Sequence, residues 1–286
     1  MSGKPRAALT GANGYLGGLV AHRLKASGWE VVGLTRKPNA GEIAFRLGDD
    51  ISPDTLRGFD ALIHCAYDFA PIEFAELKTI NVEGSAKLFR AAAAAGIPQT
   101  VFISTISAFE NCKSNYGRIK LLIEADAQEI AATIIRPGLI YGASPGAMFG
   151  RLVAQVRAAS LVPMPGDGRQ MMYTVHEDDL TEAILHAATH TRASATPVTV
   201  ANAMPIAFGD IMTAIGERLG RKVTTIPIPW RFMWLGLRGA EILRVPIGLR
   251  SDSLVSLVNQ DTAPLLNAET ELGVQCRPFD LSQVAL

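Results

Sequence analysis

Tyr116 and Lys120 stand four residues apart in the run Tyr116-Gly117-Arg118-Ile119-Lys120. On a helix this spacing puts both side chains on one face, about 5–6 Å apart at Cβ. A phenol with a pKa near 10 is a poor base at neutral pH, and a neighbouring ammonium favours its phenolate. Such a pair can take a proton from a hydroxyl or return one to a carbonyl oxygen, while a redox partner handles the hydride. Of the five tyrosines, only Tyr116 has a lysine four residues on. Upstream, Ile103-Ser104-Thr105-Ile106-Ser107 offers hydroxyls that can hydrogen-bond the reacting oxygen. Ordinary strand-end capping is the other use of such residues.

A second group of residues suits a phosphate. Thr10-Gly11-Ala12-Asn13-Gly14-Tyr15-Leu16-Gly17 follows the first strand-like run, with glycines at 11, 14 and 17. Gly11 permits a tight turn, Gly14 lets the backbone approach a pyrophosphate, and Gly17 allows close helix–strand packing. The N–H groups of the following helix then face the anion. A P-loop is excluded, because no Gly-Lys-Ser/Thr follows. The second strand ends in Leu34-Thr35-Arg36-Lys37, without the acid that usually holds the ribose of NAD. Arg36 or Lys37 can pair with a 2′-phosphate, so NADP(H) is the expected cofactor, with NAD as the alternative if both cations are merely solvated.

The elements that must position these residues alternate. Strands are expected at Arg6–Thr10, Glu30–Leu34, Ile43–Leu47, Ala61–Cys65, Thr100–Ile103 and Ala132–Ile135. Helices are expected up to about Ser27, over Glu73–Ala95 and over Tyr116–Glu129. Such alternation gives an α/β fold, a doubly wound parallel Rossmann sheet covered on both faces. After about residue 140 glycine and proline break the rhythm, and from Pro205 the chain reads as mostly helical with one strand-like run. The expected division is a dinucleotide-binding domain over 1–165, with about 170–202 returning to the sheet, and a smaller, mostly helical substrate lobe over 203–286.

Composition narrows the partners. Lys+Arg and Asp+Glu balance at 27 each with no basic tract, which gives no reason to expect nucleic acid. Three scattered cysteines without C-x-x-C spacing, and no apolar leader at the N-terminus, suggest a reduced cytoplasmic protein. The histidines show no ligand spacing beyond His186 and His190, which lie in Ala-rich helical sequence without a nearby acid or cysteine, so no metal is expected. The apolar stretch Ile226–Leu249 is too interrupted by proline and charge to span a membrane. It reads as a buried or pocket-lining helix in preference to a peripheral membrane contact through Trp230, Phe232 and Trp234. Cys112, between Thr105 and Tyr116, reads as an exposed loop thiol.

Taken together, these motifs resemble the extended short-chain dehydrogenase/reductase family, the NAD(P)-dependent epimerase/dehydratase group. Thr10–Gly17 matches its T-G-x-x-G-x-x-G turn, Gly48-Asp49 its G-D step, His64-Cys65-Ala66 its H-x-A segment and Asn81-Val82-Glu83-Gly84 its N-V-x-G helix signature. Ser104-Thr105 resembles the S-S or S-T step, Tyr116 and Lys120 the Y-x-x-x-K pair, and Arg136-Pro137-Gly138 through Gly142 the R-P-x-x-x-Y-G stretch. Val175-His176-Glu177-Asp178-Asp179-Leu180 resembles the V-H-V-D-D-L element. Only ten residues separate Thr105 from Tyr116, so the loop there is shorter than in many extended members.

The resemblance implies catalytic roles for Thr105, Tyr116 and Lys120. It implies cofactor contacts at Gly11, Asn13, Gly14, Tyr15, Leu16, Arg36, Asp49, Ala66, Asn81, Ser104, Tyr116, Lys120 and Pro137. Asn81 takes the position tied to the family's proton relay. The implied activity is NADP-dependent oxidoreduction or epimerisation at a hydroxyl/carbonyl pair of a small-molecule substrate, a sugar nucleotide or related compound. Dehydration fits less well, because Ile106 and Ser107 replace the extra acid pair. A homodimer through helices at about 73–95 and 115–130 is a further implication. The competing reading is an NADP(H)-binding sensor or assembly factor without turnover, for which replacing Tyr116 by Phe changes nothing.

Overall fold

The computed structural model describes residues 3–143, 146–189, 196–245 and 249–286. The chain opens with β1 (Arg6–Thr10), α1 (Tyr15–Ala26), β2 (Glu30–Thr35), β3 (Ile43–Ala44) and β4 (Ala61–His64). It continues through α2 (Phe74–Leu77), α3 (Gly84–Ala95), β5 (Gln99–Ile103), α4 (Asn115–Glu129) and β6 (Thr133–Pro137). Next come β7 (Leu139–Tyr141), α5 (Ala147–Ala158), β8 (Leu161–Pro165), β9 (Met171–Met172), β10 (Thr174–His176), α6 (Glu177–Thr189) and β11 (Val198–Val200). The last elements are β12 (Ile206–Ala207), α7 (Phe208–Arg218), β13 (Thr224–Ile228), α8 (Trp230–Ile242), α9 (Ser251–Val258) and α10 (Ala268–Leu272).

Seven strands form one sheet in the order β11-β6-β5-β4-β1-β2-β3. Every pairing in it is parallel. The central strands are apolar along nearly their whole length because helices cover both faces. Leu9, Ile63, Val101 and Ile135 pack under α1, α6 and α10 on one side. Ala8, Leu34 and Leu62 meet α3, and Phe102 and Ile134 meet α4, on the other. Each such fully buried Leu, Ile or Phe contributes about 1.5–3 kcal/mol. The order changes direction between β1 and β4, and there the carboxyl ends of the strands open a crevice for ligands.

A separate core gathers Phe149, Val153, Val156, Met212, Ile215, Leu254 and Val284 from α5, α7, α9 and the C-terminus. Residues 268–274 return to the sheet and pack with Ala187 and Val198. No helix among the described residues is long and apolar enough to cross a membrane.

Two expected elements differ. The strand predicted over Ile43–Leu47 pairs only at Ile43 and Ala44. Its partner β2 ends at Thr35, which pairs with Ala44, so the ladder has no strand left for the residues after it. The single helix predicted over Glu73–Ala95 is interrupted by a wider, π-helical turn at Lys78–Glu83. The Asn81 amide accounts for it: Nδ2 donates to Leu77 O and Asp68 O at 3.1 Å each, and Oδ1 accepts from Asp68 N at 2.7 Å. One extra residue in the turn aims this buried side chain at the loop after β4.

Candidate active site

The glycine-rich turn is built for close contact. Gly11 has φ +70°, and a Cβ there would lie 3.1 Å from Ala66 N. A Cβ on Gly17 would lie 2.1 Å from Gly11 O, so any larger residue would push α1 off the turn. Gly14 is the N-cap of α1 and brings no side chain to its N–H groups. The first turn of α1, with Tyr15 and Leu16, thus has the uncapped helix terminus that suits a pyrophosphate. Those features fit the dinucleotide expected from the sequence.

Behind the turn runs a buried chain of hydrogen bonds. The N–H groups of Cys65 and Ala66 both donate to Thr10 Oγ1 at 3.1 Å. The Thr10 hydroxyl donates to His64 Nδ1 at 2.7 Å, and His64 Nε2 donates to Ser85 Oγ at 2.8 Å. Ser85 in turn donates to Asn81 O at 2.6 Å. Because Ser85 spends its proton on Asn81, His64 must carry its own on Nε2. Burial, with the Lys120 charge adding to it, lowers the His64 pKa to about 3, so the ring is neutral. The network locks the turn to the π-helical turn and leaves every polar atom of the Asn81 side chain engaged.

The residues expected to carry chemistry meet at the end of β5. Thr105 Oγ1 accepts from Ser107 N at 3.2 Å, and Thr105 and Tyr116 both line the same cavity. Lys120 Nζ donates to Ile103 O at 2.6 Å and faces the rings of Phe102, Tyr67 and Tyr116 at 4.7, 5.2 and 6.0 Å. Burial pushes Tyr116 up to about 12, against the lowering effect of Thr105. Burial also brings Lys120 down to about 8, opposed by its neighbours Cys65 and Glu124. The spacing argument expected Lys120 to pull Tyr116 toward phenolate; in the folded protein desolvation wins, and the phenol is protonated.

Local sequence explains how the pair is held. Ser114 caps α4, its Oγ accepting from Gly117 N at 3.1 Å. A Cβ on Gly117 would lie 2.2 Å from Ser107 O, so glycine lets α4 press against the end of β5. Cys112 is buried with its sulfur against this glycine, which corrects the expected exposed thiol; burial raises its pKa.

The remaining expected residues fall in different places. Ser104 donates to Glu124 Oε1, and Arg136 Nε donates to the same oxygen at 2.9 Å, so that hydroxyl serves a buried charge cluster beside the site. Pro137 lines the cavity beside Tyr116. Arg36 and Asp49 are exposed at the loops after β2 and β3. The Tyr15 hydroxyl donates to Glu177 Oε2 at 3.0 Å, while Ala143 N donates to Glu177 Oε1 at 3.0 Å. His186 lies against Glu182 and Leu272 O; His190 lies outside the described residues.

Sequence reading missed several participants. Glu124 was within reach of it, standing four residues after Lys120 on the same helix face. Asp252 was not: its carboxylate comes from α9 to accept from Asn115 N and Tyr116 N. Glu42 corrects the expectation that no acid stands at the end of β2. Its Oε2 accepts from Asn39 N at 2.7 Å and lies 3.4 Å from Thr35 Oγ1, and a Cβ on Gly33 would meet its Oε1 at 2.9 Å. The loop, and not the strand, delivers this carboxylate.

Tyr116 opens into a cavity of about 760 Å³ between the sheet and the C-terminal helices. Tyr67, Phe69, Phe74, Met148 and Trp234 contribute apolar wall. Its arginines from α8 and the loop after it are already engaged. Arg238 meets Glu73 at 3.2 Å and Glu241 at 3.4 Å, and Arg250 donates to Phe69 O and, at 3.1 Å, to Pro71 O.

Residues 7–201 match the model of the NAD dependent epimerase/dehydratase family. Uncharacterized protein y4nL of Sinorhizobium fredii is 29% identical, over 79% of this chain and 76% of its own. The 4-hydroxy-2-methyl-3-oxo-4-farnesyl-3,4-dihydroquinoline-1-oxide ketoreductase of Stigmatella aurantiaca is 25% identical, over 79% of this chain and 77% of its own. MoeE5, solved in complex with UDP-glucuronic acid and NAD, superposes with a TM-score of 0.74 at 21% identity, covering 96% of this chain and 94% of that one.

Proposed function

The chain belongs to the NAD dependent epimerase/dehydratase family, and on that premise we propose that it is an NADP(H)-dependent reductase of a carbonyl compound with an apolar body. The observation that carries the reading is Tyr116, whose phenol burial pushes up to about 12 and so keeps protonated, standing with Thr105 in the lining of a largely apolar cavity. The first turn of α1 would hold the pyrophosphate, Arg36 a 2′-phosphate, and Tyr116 and Lys120 the nicotinamide ribose. Bound there, a reduced nicotinamide supplies a hydride to the carbonyl carbon.

The chain's own groups then handle the proton. Tyr116, protonated at neutral pH, donates its phenol proton to the carbonyl oxygen. Thr105, whose oxygen already accepts from Ser107 N, turns its hydroxyl proton to the Tyr116 oxygen and stabilises the phenolate left behind. Lys120, titrating near 8, is largely charged at pH 7 and stabilises that phenolate electrostatically. The apolar wall excludes water, which strengthens both effects.

A sugar nucleotide, the substrate implied by the resemblance, fits the α8 side of this cavity less well. A diphosphate wants free cationic donors; Arg238 and Arg250 are taken by carboxylates and carbonyls, while Lys113 and Arg151 line the cavity away from α8. The similarity to a ketoreductase of a farnesylated quinoline points the same way.

The test is NADPH oxidation with a panel of apolar ketones beside UDP-sugars. Tyr116→Phe should lower turnover by about 10²–10⁴-fold while NADPH binding is retained. NADPH binding without turnover of any carbonyl, or turnover unaffected by Tyr116→Phe, rejects the reading; the former favours a sensor.

A further inference from the structure

Helix α8 has two apolar faces, and the protein covers only one. Leu237 is buried, and Trp234 and Arg238 line the cavity. On the outward side Phe232, Leu235, Ile242 and Leu243 are 69, 59, 69 and 77% exposed. Gly236 and Gly239 lie between them, and a Cβ on either would meet nothing within 4 Å. Val245 extends the patch beyond the helix. Contiguous exposure of this kind marks an interaction surface, not an ordinary scatter of surface leucines.

The charge around the patch says what it fits. The chain as a whole is neutral, with 27 basic and 27 acidic residues. Over 221–250, however, Arg221, Lys222, Arg231, Arg238, Arg244 and Arg250 face a single acid, Glu241. Glu241 is committed inward to Ser251 and Arg238. Arg231 and Arg244, toward the two ends of the apolar stripe, are exposed. An apolar stripe flanked by exposed cations, on a helix too short and too charged to span, is the pattern of a helix lying in a membrane interface. A second copy is the poorer fit, because a two-fold contact would bring this cationic segment against itself.

We propose that the outward face of α8 docks the protein on an anionic lipid bilayer, with Phe232, Leu235, Ile242 and Leu243 entering the interface and Arg231 and Arg244 meeting lipid phosphates. The same helix forms one wall of the cavity. Docking therefore sets the cavity beside the phase in which an apolar carbonyl compound is dissolved.

The experiment is vesicle flotation of the full chain without cofactor or substrate, so its outcome is independent of whether the reductase reading holds. Vesicles of phosphatidylcholine alone are compared with vesicles containing phosphatidylglycerol. Binding to the anionic vesicles is expected, weakened by salt and reduced about tenfold or more in F232S/L235S. R231Q/R244Q leaves the apolar stripe intact and should lower binding while abolishing most of the preference for phosphatidylglycerol. Absence of binding to anionic vesicles, or binding indifferent to both double variants, overturns the proposal. So does a dimer in solution that F232S/L235S dissociates, which would assign the face to a second copy.

Discussion

Asp252 accepts the main-chain N–H of Tyr116 at 2.9 Å and that of Asn115 at 2.7 Å, although the first pair is separated by 136 residues. A carboxylate from α9 thereby completes the N-terminus of α4 that Ser114 begins to cap. Negative charge at that terminus is favoured by the helix dipole. The contact fastens the cavity's far wall to the backbone of the residue proposed to move the proton.

Asp252→Ala should therefore cost about 1–3 kcal/mol of stability and lower turnover together. Asp252→Asn, which keeps an acceptor but not the charge, should fall between. Denaturant unfolding and steady-state kinetics on the same preparations check this. Full activity in the alanine variant would mean that Ser114 alone holds Tyr116 in place.

Cofactor preference should respond to two residues in opposite directions. Arg36→Ala should weaken NADPH binding about tenfold and leave NADH nearly unchanged, because only NADPH brings a 2′-phosphate. Glu42→Gln should tighten NADPH by removing a negative charge near Thr35 and Gly33, and loosen NADH. Nicotinamide fluorescence titration reads both. If Arg36→Ala changes neither affinity, the 2′-phosphate argument fails.

His64 should make the fold acid-sensitive. Its ordinary pKa is near 6.5, and burial lowers it to about 3 in the folded chain. Between these values the unfolded state binds the extra proton, so stability falls as pH drops from about 6.5 toward 3. The contribution to the slope approaches about 1.4 kcal/mol per pH unit within that window. His64→Phe should flatten the stability–pH profile by that amount. It should also lower stability at neutral pH, because Thr10 and Ser85 lose their partner. An unchanged slope would show that His64 stays neutral in both states or is charged in both.

Much of the candidate site was legible because it is local. The turn 10–17 declares itself by glycine spacing, since one peptide must reverse and another must be approached closely. Tyr116 and Lys120 declare themselves because four residues is about one helical turn. The parallel sheet follows from strands that are apolar throughout. These features need no knowledge of distant chain.

Tertiary structure decided the rest, for a common reason: each item of it depends on groups far apart in sequence and on what burial does to them. Glu42 reaches the end of β2 through a loop whose path no local pattern encodes. Asp252 reaches Tyr116 only once α9 has packed. Tyr116 is a protonated phenol because desolvation outweighs its partners, a balance that spacing cannot weigh. The apolar stretch Ile226–Leu249 read as a buried or pocket-lining helix; only the packed lobe decided that one face of α8 lines the cavity and the other is left to solvent, because that depends on which distant elements reach it.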